Sequence, residues 1–169
     1  MPPSTPAAST ASGAAPLSVQ PDRAGDAEGR FQATPLAREV AFLTARARVR
    51  GNALANELLS DLDLKVRPFA VLAMACSGTN PSQRELGDFL DLDPSQVVTL
   101  VDRLEERGAI RREPDPRDRR SKILVATESG QQLHAQAAER TRKAEEQTLQ
   151  ALTSAERDQL RELLARVVY

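Results

Sequence analysis

The sequence predicts a mainly α protein with one small β-hairpin, and three observations predict it. Aromatic residues make up only 3% of a chain that is 40% hydrophobic, so the core must be built from Leu, Val and Ala, which favours helices. Marked helix starts recur at Ser82-Gln83-Arg84-Glu85, Asp93-Pro94-Ser95-Gln96 and Thr153-Ser154-Ala155-Glu156. Between the last two, Ile110-Arg111-Arg112 and Lys122-Ile123-Leu124-Val125 are short β-branched runs separated by the charged loop Asp115-Pro116-Arg117-Asp118-Arg119-Arg120. Short helix, tight turn, second helix and hairpin, in that order, describe a winged helix-turn-helix, and the long helices on either side are expected to be N- and C-terminal dimerisation helices.

Along the chain, residues 1–30 are rich in Pro, Ser, Thr, Ala and Gly and read as a flexible tail, because they bury too little apolar surface to offset their ordering entropy. Residues 31–169 read as one domain. A long helix is expected over 35–62, with Leu36, Val40, Leu43, Ala47, Leu54 and Leu58 forming a narrow apolar stripe. One small domain cannot cover so long a helix, so it points to a second subunit. The 66–126 lobe begins with a helix from Val66 to Cys76 that places Phe69, Leu72, Ala73 and Cys76 on one face, and Ser77-Gly78-Thr79-Asn80-Pro81 ends it. Helices follow over 82–90 and 94–107, the second stopped by Gly108. After the hairpin, helices over 128–149 and 154–168 form the 128–169 dimerisation segment, the last striped by Leu160, Leu163, Leu164 and Val167.

The totals exclude several functions. Net charge is −1, so nucleic-acid binding requires a local basic surface and not a polycationic chain. The single cysteine, Cys76, cannot form an intramolecular disulfide and suits a reducing cytoplasm. No apolar run approaches the ~20 residues of a membrane helix. One His and one Cys make no dedicated metal site. No phosphate loop, paired catalytic carboxylates or Ser/Cys–His grouping is present, so neither an enzyme nor a cofactor is expected.

The functional constellation lies on the 94–107 helix and the loop after it. At about 100° per residue, Val97, Val101 and Leu104 fall together toward the core. Ser95, Gln96, Thr99 and Arg103 fall on the opposite side, and their hydroxyl, amide and guanidinium groups suit base edges and phosphates in a major groove. From Arg111 to Lys122, six cations oppose three carboxylates, leaving three positive charges in excess on a loop stiffened by Pro116. Such a loop suits a narrow minor groove.

From about Leu36 to Val168, the chain resembles the MarR family of transcriptional regulators. Three segments carry the resemblance: Gln83-Arg84-Glu85-Leu86-Gly87, the run from Val97 to Gly108, and Asp115-Pro116-Arg117-Asp118-Arg119-Arg120-Ser121-Lys122. The resemblance implies a homodimer on a pseudopalindromic double-stranded DNA operator, nucleoid-associated in the cytoplasm and repressing until a ligand binds. It implies DNA contacts from Ser82, Gln83, Arg84, Ser95, Gln96, Thr99, Arg103 and Lys122. The family's wing pattern falls on Asp118 and Arg120, with Arg120 in the minor groove, Asp118 holding it, and Arg117 and Arg119 auxiliary. Many relatives carry Gly where this turn has Asp91; Asp tolerates positive φ better than most residues.

The resemblance further implies a small aromatic or anionic effector, bound near Phe42, Arg46, Arg50, Phe69 and Met74. Cys76, near a helix C-terminus among alanines, reads as filler and not as a redox switch. The competing function is a helical protein-interaction module without DNA binding, which the acidic overall balance favours.

Overall fold

The computed structural model describes residues 23–118 and 120–169. Most of the expected 1–30 tail lies outside the described residues. Its last part differs from expectation, because Arg23–Gln32 forms helix α1. Ala24, Ala27, Glu28 and Arg30 are good helix formers, and a composition averaged over thirty residues conceals them.

The single helix expected over 35–62 is three pieces: a 3-10 turn at Pro35–Arg38, helix α2 at Val40–Leu58, and a 3-10 turn at Ser60–Leu62. The first break falls at Glu39, which is extended (φ −71°, ψ 131°). Its N–H donates to the Leu36 carbonyl at 3.1 Å, and its carbonyl accepts from the Leu43 N–H at 2.9 Å to open α2. The four-residue spacing from Leu36 to Val40 continues the apolar stripe across this break, so side-chain periodicity could not reveal it. Two compact units divide at Leu43 and Thr44.

The second unit continues with α3 (Val66–Cys76), α4 (Gln83–Leu90), α5 (Pro94–Glu106), β1 (Ile110–Pro114), β2 (Lys122–Ala126), α6 (Glu128–Thr148) and α7 (Ser154–Val168). Leu59, Leu72, Leu86, Val97, Val101, Leu104, Ile110 and Leu124 form one buried cluster between them. On α3, Val71, Leu72 and Ala75 are the buried residues, while Phe69, Ala73 and Cys76 of the expected face are only partly covered. The reason is that α3 touches α4, α5, α6 and β2, so it is enclosed over a wider arc than a one-sided amphipathic helix.

Local chemistry fixes the entry to each element. Ser82 and Glu85 cap each other reciprocally: the Ser82 N–H donates to Glu85 Oε2 at 2.7 Å, and the Glu85 N–H donates to Ser82 Oγ at 3.2 Å. Asp93 caps α5 through the Ser95 N–H at 2.8 Å. Between these helices Asp91 is left-handed (φ 50°), as the tight turn requires. The strands are antiparallel, with Ile110 opposite Ala126 and Pro114 opposite Lys122. The Leu124 N–H also donates to the Pro81 carbonyl at 2.9 Å, which ties the start of α4 to the hairpin. At the far end, Thr127 Oγ1 and Ser129 Oγ both donate to the Gly108 carbonyl, at 2.6 and 2.8 Å. A Cβ on Gly130 would lie 1.8 Å from the Ala109 carbonyl oxygen, so only glycine permits this approach of α6 to the end of α5.

Candidate nucleic-acid interface

Helix α5 is divided as the spacing requires. Val97, Val101 and Leu104 are buried, and Ser95, Gln96, Thr99 and Arg103 are exposed. Ser95 Oγ donates to Asp93 Oδ1 at 2.6 Å, and Thr99 Oγ1 donates to the Ser95 carbonyl at 2.9 Å. Both hydroxyls retain acceptor capacity toward solvent. The Ser95 hydroxyl, followed by its N–H, holds the Asp93 carboxyl below its usual range. Arg103 stands apart from the other three. It borders an open cleft of about 840 Å³ beside the C-terminal half of α5, with Lys65, Pro68 and Arg107 on the same lining.

On α4, only Arg84 of the three expected contacts is fully exposed. Ser82 is occupied by its capping role, and Gln83 Oε1 accepts from Arg112 Nε at 2.9 Å. Glu85 is held below its usual range by the Ser82 N–H and hydroxyl.

The wing has an order of its own. Asp115 is only 5% exposed, although it is a carboxylate. Arg117 forks onto it, with Nε to Oδ1 at 3.0 Å and Nη2 to Oδ2 at 2.9 Å, while the Arg117 N–H donates to Oδ1 at 2.8 Å. These bonds, side chain first, keep the Asp115 carboxyl below its usual range. Arg117 Nη2 also lies 3.9 Å from Glu85 Oε2. Asp118 accepts the backbone N–H of Arg120 at 2.9 Å, which shapes the tip. The side-chain fork is therefore made by Arg117 on Asp115, whereas Asp118 engages the main chain of Arg120. Arg120 and Lys122 are exposed. Arg119 lies outside the described residues.

Sequence reasoning missed Arg112, which it counted only as one of the wing's cations. Its side chain is 18% exposed and reaches Asp102 and Glu105 of α5 as well as Gln83 of α4. The Arg112 N–H donates to Glu105 Oε1 at 3.0 Å. Burial opposes the Arg112 charge, but the hydrogen bonds to Asp102 and Glu105 outweigh it and raise its pKa. The available signal was the acidic pair at three-residue spacing, Asp102 and Glu105, on the flank of α5 between Val101 and Ser95.

Of the expected effector residues, Phe69 and Met74 pack at the edge of the core, and Phe69 stacks on His134 at 5.7 Å between centroids. Arg46 and Arg50 are exposed on α2, and Phe42 is half-buried on the same helix. The Cys76 thiol is pushed up by burial. Among the described residues no cluster of His, Cys, Asp or Glu could hold a metal ion, and no helix is long and apolar enough to cross a membrane.

The order of elements, the left-handed turn and the polar face of α5 define a winged helix-turn-helix protein of the regulator type. The MarR family model matches residues 68–122. A MarR-family transcriptional regulator from Rhodococcus sp. RHA1 is 33% identical, covering 81% of this chain and 98% of that one, with a TM-score of 0.74. CouR from Rhodococcus jostii RHA1, solved bound to p-coumaroyl-CoA, is 34% identical, covering 81% of this chain and 96% of that one, with a TM-score of 0.73. A protein of Thauera aromatica described as a regulator for the hcr operon is 32% identical over 59% of this chain, and the match spans 60% of its own length. The chain belongs to the MarR family of transcriptional regulators.

Proposed function

We propose that the protein is a homodimeric repressor that binds a pseudopalindromic double-stranded DNA operator and releases it when a small organic effector binds. The observation that carries this reading is the pairing of two exposed surfaces in one lobe. Helix α5 offers Ser95, Gln96 and Thr99 beside its capped N-terminus, while the hairpin offers Arg120 and Lys122. The helix suits a major groove and the hairpin the neighbouring minor groove. Arg84 and Arg103 suit phosphates. Arg117, already forked onto Asp115, braces the wing in this reading, with Arg119 auxiliary.

A second copy is supported by α7, where Leu163, Leu164, Val167 and Val168 are exposed. An apolar stripe of this kind marks an interaction surface. Two α5 helices related by a twofold axis require half-sites about one helical turn apart. The effector reading is supported by the p-coumaroyl-CoA held by CouR, and Arg46, Arg50, Phe69 and Met74 are the residues proposed to serve it. In this reading the protein acts in the cytoplasm, on the nucleoid, where its DNA target lies.

Footprinting on the DNA upstream of the protein's own gene tests the proposal. The expected result is a protected pseudopalindrome whose affinity falls roughly a thousandfold between about 50 and about 200 mM salt, as for six or more neutralised phosphates. Equal affinity for all duplexes, or no salt dependence, would overturn it.

A further inference from the structure

Helix α5 and the hairpin must address two grooves at a fixed separation if both are to read one site. Among the described residues, the hydrogen bonds of one side chain join α4, α5 and β1. Arg112, in the middle of β1, donates from Nε to Gln83 of α4 at 2.9 Å and from its two terminal nitrogens to Glu105 and Asp102 of α5. Glu105 also takes the Arg112 N–H at 3.0 Å, on the strand edge that faces away from β2. A guanidinium is a planar fork whose donors leave in fixed directions, so three partners on two helices specify its orientation. Asp102 and Glu105 sit on the flank of α5 between the buried Val101 and the exposed Ser95–Thr99 face, so the grip fixes the roll of the helix as well as its distance from the hairpin.

We infer that Arg112 is a positioning residue for operator recognition: it touches no DNA, and it sets the register between the groove-reading helix and the wing so that both engage the same site. This rests on the proposed DNA interface and extends it to a residue within the lobe. It also accounts for Gln83. Its carbonyl holds the hub, so its role is to orient Arg112 and not to read a base.

The test uses the full chain and two variants. Arg112→Lys keeps the charge and loses the fork. The triple variant Arg112→Met, Asp102→Asn, Glu105→Gln removes the network without leaving an unpaired charge and guards against failure of the single variant to fold. Spin labels at Thr99→Cys and Lys122→Cys, in a Cys76→Ser background, report the distance between helix and wing without DNA. The expected result is a narrow distribution in the parent and a broader or shifted one in both variants, with circular dichroism unchanged. Affinity for the footprinted duplex should fall roughly tenfold, the size of one lost groove contact, while affinity for random duplex and its salt slope stay the same.

Identical distance distributions in parent and variants would overturn the inference, as would equal losses on specific and random DNA. A parent chain that does not distinguish the two duplexes would instead overturn the DNA reading, and the spin-label arm would still decide the role of Arg112.

Discussion

The α4–α5–hairpin lobe and helix α7 are both amphipathic, yet they treat their apolar residues in opposite ways. In the lobe, Leu86, Val97, Val101, Leu104, Ile110 and Leu124 are buried, and the charged side chains around them are cross-linked through Arg112 and Arg117. On α7 no residue is buried, and Val167 is 83% exposed. Both elements start well, since the Thr153–Glu156 cap of α7 is as complete as the Ser82–Glu85 cap of α4. Capping chemistry therefore starts a helix without saying what will cover it. The lobe is finished within one chain, and α7 presents a surface that a single chain leaves open.

The sharpest test of that contrast removes one leucine from each region. Leu86→Ala, at a fully buried site, should lower unfolding stability by about 2–5 kcal/mol in a denaturant melt. Leu164→Ala, at a site exposed within the single chain, should cost less in the same melt at the same protein concentration. If the two melts shift equally, the contrast fails. Next in size, Leu163→Asp with Leu164→Asp should convert a dimer to a monomer in sedimentation without loss of helix signal, because the charges fall on the open stripe and not in the lobe.

Within the lobe, the two exposed wing cations should separate by role. Arg120→Ala should weaken operator binding by about 1–3 kcal/mol, as for a groove-reading arginine. Lys122→Ala should weaken specific and random DNA alike and reduce the salt slope by about one, as measured by fluorescence anisotropy across a salt series.

The smallest effect concerns acid. Glu85, Asp93 and Asp115 all lie below the usual carboxylate range in the folded lobe, through the Ser82 N–H, the Ser95 hydroxyl and the Arg117 side chain respectively. A depressed folded pKa means stabilisation that is whole above about pH 4, where free carboxyls titrate, and that is lost as pH falls through the lower folded value. Melting temperature should therefore drop between about pH 4 and about pH 2, and Asp115→Asn should flatten that limb. None of the three carboxylates lies on α7, although Glu156 in its cap shares the behaviour on a smaller structure.

How much was legible in the sequence follows the same division. The lobe's elements could be read because each is announced locally: a capping box, Pro94 at a helix start, Gly108 after a helix end, β-branched runs around a charged loop. The polar face of α5 followed from spacing alone. The break at Glu39 was not legible, since an apolar repeat passes through it, and α1 was hidden inside a biased composition. The Arg112 hub was missed for a different reason. Its partners Gln83, Asp102 and Glu105 lie 29, 10 and 7 residues away, and tertiary hydrogen bonds leave no periodic trace. Arg117 on Asp115 was visible as a pair two residues apart, but the same spacing also offers Asp118 with Arg120. Only the burial of Asp115 distinguishes the side-chain fork from the backbone turn.

The meeting of Gly130 with the Ala109 carbonyl has a mechanical consequence. Two hydroxyls clasp the preceding carbonyl, at Gly108, and no side chain cushions the approach. The Gly108–Ala109 peptide, which follows directly on the C-cap of α5, is thus held against the head of α6. The joint is a short coupling between the head of α6 and the chain leaving α5, with a glycine on one side and a doubly clasped carbonyl on the other.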